Sequence, residues 1–91
     1  MDMLRPIHDY HLTEHAKYQM KRRGINKSEI EHVLSNPEQI STIRSDRAVY
    51  QSRVDIEDDR TYLIRVFVDV NLNPPEVVTC YKTSRIKKYW R

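Results

Sequence analysis

Ninety-one residues, 11.0 kDa in all, suffice for one small domain and exclude two independently folding units. A 38% apolar share beside 32% charged residues, a mean hydropathy of −0.79 and no apolar run longer than four residues imply a small core and exclude a spanning helix, while the lone Cys80 excludes an internal disulfide framework. The net charge of +3 is segregated: the acid-free stretch from Lys17 to Lys27 carries +5, the last ten residues carry another +5, and the other six cations against thirteen acids leave −7.

The first dozen residues carry the weakest pattern. Thr13 suits a helix N-cap ahead of Glu14, Leu12, Ala16 and Met20 recur at four-residue spacing, and Gly24 suits a left-handed cap, so a helix is expected over 13–23. Asn26-Lys-Ser-Glu29 resembles a capping box flanked by Ile25 and Ile30 as a hydrophobic staple, and Asn36-Pro37 is a stop, which sets a second helix over 27–35.

Beyond Pro37 the period changes to two. Segments 39–44, 48–56, 61–70 and 76–83 are rich in β-branched and aromatic residues and are separated by Ser45-Asp46, Glu57-Asp58-Asp59 and Asn71-Leu-Asn-Pro-Pro75. The expected fold is a single α+β domain over 1–91: two N-terminal helices packed on a four-stranded antiparallel meander. In the third strand Tyr62, Ile64, Val66, Val68 and Val70 should meet the helices, leaving Leu63, Arg65, Phe67 and Asp69 on the more open face. The parity of the fourth strand stays open, because Val78 and Cys80 suit the core and so do Val77 and Tyr81.

Three patterns could carry chemistry. His8-x-x-His11-x-x-x-His15 with nearby Asp9 offers metal-ligand types, but a helix start at Thr13 would separate His11 from His15, so no metal and no cofactor are expected. Met20, Gly24 and Ile30 have helix-turn-helix spacing, yet the second helix presents Glu29, Glu31 and His32 after a single Lys27, which a phosphate backbone would repel. The favoured pattern places His15, Gln19 and Arg22 on one face of the first helix, with Arg65 on the open sheet face and Thr79, Tyr81 and Thr83 on one face of the last strand.

Those residue types meet the demands of metal-free RNA cleavage. A 2′-hydroxyl must lose a proton, a 5′-oxygen must gain one, and a crowded phosphorane needs cations around it. His15 would move the proton, Arg22 or Arg65 would clamp the phosphate, and Thr79 and Tyr81 would supply hydroxyls. The competing reading makes His15 an ordinary surface histidine and pairs Arg65 with Asp69 or Asp55.

The tail over 84–91 follows Tyr81 and Lys82 and interleaves cations with aromatics, as single-strand contacts do. Its structural alternative is a short terminal helix whose Ile86 and Tyr89 or Trp90 pack back onto the body. Lys21, Arg23, Lys82, Arg85, Lys87, Lys88 and Trp90 are the expected nucleic-acid contacts.

The string His15-Ala16-x-x-x-Met20-x-x-Arg23-Gly24-Ile25-x-x-x-x-Ile30, with Val77-Val-Thr79-Cys-Tyr81 and Tyr81-Lys-Thr-Ser-Arg-Ile-Lys-Lys-Tyr-Trp90, resembles small bacterial domains related to BrnT and RelE-like toxins. The resemblance covers roughly residues 11 to 90. It implies the RelE-like fold of the barnase, EndoU, colicin and RelE group, and toxin-like ribonuclease activity in some members. The positions it implies are His15, Arg22, Thr79 and Tyr81. The expected protein is thus a cytoplasmic, toxin-like RNA-binding endoribonuclease, with RNA and an acidic antitoxin as partners and no membrane association; the alternative is a binding module without turnover.

Overall fold

The computed structural model describes residues 5–56 and 60–91. The elements are β1 (His11–Leu12), α1 (Glu14–Arg23), α2 (Lys27–Ser35), β2 (Gln39–Arg44), β3 (Arg47–Ile56), β4 (Arg60–Asp69), β5 (Glu76–Thr83) and α3 (Ile86–Tyr89). The expected turn at Glu57-Asp58-Asp59 lies outside the described residues.

Both long helices begin and end where nearby side chains dictate. The Thr13 hydroxyl accepts the Ala16 N–H at 3.1 Å and donates to the Val77 carbonyl at 3.0 Å, so one residue caps α1 and ties it to β5. At the far end Gly24 turns left-handed at φ 67° and ψ 38°, and its N–H and that of Ile25 both reach the Met20 carbonyl. The Asn26 side chain accepts the Glu29 N–H at 2.8 Å while the Glu29 carboxylate accepts the Asn26 N–H at 2.9 Å, completing the reciprocal box. Ile25 and Ile30 are buried on either side of it.

The sheet has five strands rather than four, in the order β1-β5-β4-β3-β2. Strands β2 to β5 form the expected antiparallel succession. Strand β1, however, joins the outer edge parallel to β5, with Leu12 opposite Val77. The all-antiparallel meander is therefore corrected to a mixed sheet within the same α+β class, and the short terminal helix is present as α3. Two residues are too few to show a period. What makes them a strand is long-range bonding, from the His11 N–H to the Pro75 carbonyl at 2.9 Å and from the Thr13 N–H to the Val77 carbonyl at 3.1 Å.

Helix α1 lies along β5, and α2 lies against β3 and β4. Beneath them Ala16, Ile30 and Leu34 meet Tyr50, Ile64, Val66 and Val68, all essentially without exposure. Removing one such large apolar side chain from water stabilises the fold by about 1.5–3 kcal/mol. These residues come from α1, α2, β3 and β4, so the core joins the helices to the sheet.

A β-bulge decides the parity of β5. Phe67 stands opposite Thr79, yet Val68 stands opposite Val77, which leaves Val78 as the extra residue. The bulge lets Val77 and Cys80 both face the helices and turns Thr79, Tyr81 and Thr83 to the outer face beside Leu63, Arg65 and Phe67. Cys80 is buried in the core, and loss of solvent raises its thiol to about 11, with Arg23 pulling weakly the other way.

Candidate functional site

Three adjacent strands set one row of side chains across the outer face. Gln51 on β3, Arg65 on β4 and Tyr81 on β5 are direct register partners. Arg65 donates from Nε to Gln51 Oε1 at 2.9 Å and from Nη1 to the Tyr81 hydroxyl at 2.6 Å. Its Cζ also lies 4.4 Å from the Tyr89 ring centroid, 5.5 Å from that of Phe67 and 5.6 Å from that of Tyr81. Phe67 and Tyr81 are themselves stacked, with centroids 5.9 Å apart and planes 27° apart.

None of these partners carries the negative charge that would neutralise Arg65. Asp69 is held by Arg47 through bonds of 2.6 and 3.1 Å, and Asp55 accepts the Thr61 hydroxyl at 2.9 Å. The pairing of Arg65 with either aspartate, an alternative raised by the sequence, is not what forms. Neutral side chains orient the guanidinium, and its Nη2 edge has no hydrogen-bond acceptor among the described residues. An oriented, unneutralised guanidinium is suited to bidentate capture of a phosphate or carboxylate. Burial holds the Tyr81 phenol above its ordinary value, partly offset by Arg65, so at neutral pH it acts as a hydrogen-bonding group and not as a base.

The base of the cluster is Gln51, only 1% exposed. Its Nε2 donates to Gln39 Oε1 at 2.7 Å and to the Tyr89 carbonyl at 3.2 Å. The Gln39 amide in turn donates to the Arg91 carbonyl at 2.9 Å and accepts the Arg91 N–H at 3.2 Å. Trp90 lies 4.3 Å from Arg53, which pairs with Glu38 at 2.9 Å. The C-terminal residues thus fold back on the sheet, and the packed-tail reading describes Tyr89 and Trp90. Lys87 and Lys88 remain exposed.

Of the expected catalytic residues, Arg65, Thr79 and Tyr81 share the outer face. His15 is exposed in the first turn of α1, and among the described residues no hydrogen bond, ion pair or ring contact joins it to them. Arg22 lines a shallow depression with Arg23, Tyr62 and Lys82, away from the Arg65 row. Of the expected nucleic-acid contacts, Arg23 comes nearest the row: its Cζ is 5.9 Å from the Tyr81 centroid, and its Nε donates to Gln19 at 3.4 Å. Lys82 donates to the Gly24 carbonyl at 3.2 Å. Lys21 is exposed in the last turn of α1, and Arg85 precedes α3.

Sequence reasoning missed Gln51 and Gln39. A polar residue within the β-rich run 48–56 was the available signal for Gln51, and its partners Gln39 and Arg65 become evident only once β2, β3 and β4 are in register. Among the described residues no three His, Cys, Asp or Glu side chains are grouped to hold a metal ion, and Thr13 separates His11 on β1 from His15 on α1. No described helix is long and apolar enough to cross a membrane.

Residues 12–82 match a family described as a domain of unknown function, DUF4258, and the chain belongs to that family. The description attaches no activity to its members. No curated protein and no solved structure matches the chain.

Proposed function

We propose that the protein is a toxin-like RNA-binding protein that holds the RNA backbone on the outer face of its sheet and cleaves it without a metal. The observation that carries this reading is Arg65: a guanidinium oriented by Gln51 and Tyr81, surrounded by three aromatic rings and lacking a carboxylate partner among the described residues. Phosphate would occupy the unpaired guanidinium edge, with the Tyr81 and Thr79 hydroxyls beside it and unpaired bases against the aromatic rings. The likeness of the His15 to Ile30 and Val77 to Tyr81 strings to BrnT and RelE-like toxins supports the same reading. An acidic antitoxin would cover the cations of the first helix and the tail, in the cytoplasm where such RNA is found.

The separation of His15 from Arg65 favours a second reading, RNA binding without turnover, since among the described residues no group that titrates near neutrality joins the row. Incubation of the purified protein with RNA in EDTA, beside Arg65→Ala, Tyr81→Phe and His15→Ala variants of verified fold, separates the two. Cleavage by wild type that is lost in Arg65→Ala and reduced in Tyr81→Phe is the expected result. Equal cleavage by all four proteins would refute the site; binding without cleavage, lost in Arg65→Ala, would establish the second reading.

A further inference from the structure

The outer face does not hold all the unpaired positive charge near β5. Strand β1 pairs only with Glu76 and Val77, and the Thr13 hydroxyl also approaches the Val78 carbonyl at 3.4 Å, so from Thr79 to Thr83 the edge of β5 has no strand partner among the described residues. Tyr81 and Lys82 are adjacent on that edge and project to opposite faces, Tyr81 with Arg65 and Lys82 with Ile64. On the helix-bearing side, Lys82 reaches the Gly24 carbonyl at 3.2 Å and lies 5.8 Å from the Tyr62 ring. Arg22 and Arg23 complete the depression there, and no carboxylate of the described residues lines it. Arg23 belongs to both sides, because it also approaches the Tyr81 ring.

We propose that this depression is a second phosphate subsite, and that a single strand of RNA crosses the free edge of β5 with one phosphate on Arg65 and another between Arg22 and Lys82. The inference rests on the RNA-binding reading above and adds a path and a substrate class to it. Arg23 holds the backbone at the crossing. Cations with no carboxylate partner among the described residues on both sides of one strand favour a polyanion that can bend round it. A stiff duplex lies along one face and reaches only one of the two subsites. Lys82 already spends one donor on the Gly24 carbonyl, which fixes its ammonium at the rim and leaves two N–H groups for phosphate.

The test measures binding of a fluorescently labelled, 2′-O-methylated oligouridylate, which cannot be cleaved through its own 2′-hydroxyl, over a range of salt concentrations. An unlabelled duplex of the same length is the competitor. Arg22→Ala with Lys82→Gln should weaken single-strand binding and flatten the log–log salt slope by about 0.7, the value for one phosphate no longer neutralised. The same double variant should leave the weaker duplex competition unchanged. Thermal unfolding of the variant checks that α1 and β5 remain together. A salt slope equal to that of wild type, with binding still abolished by Arg65→Ala, would overturn the second subsite and leave the RNA-binding reading intact. No binding by wild type would overturn both.

Discussion

Replacing Gln51 with leucine tests whether the outer-face cluster is organised from its base. The substitution nearly conserves volume but removes the acceptor for Arg65 and the donors to Gln39 and the Tyr89 carbonyl. A neutral hydrogen bond contributes about 1 kcal/mol and one to a charged group about 1.5–3 kcal/mol. Solvent at the half-buried partners and the apolar gain of leucine return part of that sum. A net loss of about 2–3 kcal/mol is expected, a large share of the roughly 5–15 kcal/mol that holds a small domain together. Urea unfolding followed by circular dichroism measures it. Trp90, the single tryptophan, is a local reporter beside Arg53, and its fluorescence should change at lower urea than the circular dichroism signal once Gln51 no longer holds Tyr89. Gln51→Glu is the contrasting variant: it restores an acceptor but neutralises Arg65, so it should lose RNA binding by more than its stability changes. A Gln51→Leu protein with the wild-type midpoint, coincident transitions and unaltered RNA affinity would refute the reasoning.

Asn26→Ala removes one half of the capping box and should cost about 1 kcal/mol, read as a shift of the urea midpoint without a change in slope, whereas Asn26→Ser should recover most of it. The acid limb of stability should depend on Asp69 and Glu38, whose carboxyls are held below their ordinary values of 3.8 and 4.5 chiefly by hydrogen bonds from Arg47 and Arg53. Because the folded-state values are the lower ones, the contribution is fully present above about pH 5 and is lost as pH falls through the ordinary carboxylate range toward the folded values. Asp69→Asn should flatten the fall in melting temperature below about pH 5, and a profile as steep as that of wild type would count against the Arg47 pair as its source.

The parts legible in the sequence are those whose cause lies within a few residues. Thr13 and Asn26 cap helices because their side chains reach N–H groups three positions on, and Gly24 ends α1 because it adopts a left-handed conformation at no steric cost. The alternation in 61–70 showed which residues face the helices, and it set Arg65 and Phe67 on the other side. The resemblance to toxin domains expected from the sequence named positions but no contacts, and His15, one of those positions, stands apart from the row that Arg65 centres.

What the tertiary structure alone decided depends on pairing between distant residues. The existence of β1 rests on bonds from His11 and Thr13 to the Pro75–Val77 stretch, and two residues carry no period of their own. One extra residue at Val78 changes the parity of β5 midway, so both sequence alternatives were half right: Cys80 and Val77 are core, while Val78 and Tyr81 are not. The neutral support of Arg65 follows from the register that sets Gln51 opposite it and from the tail that covers Gln51. Local chemistry chooses helices, turns and strand faces; register and bulges choose which side chains meet, and a charge becomes a binding site only after its neighbours are known.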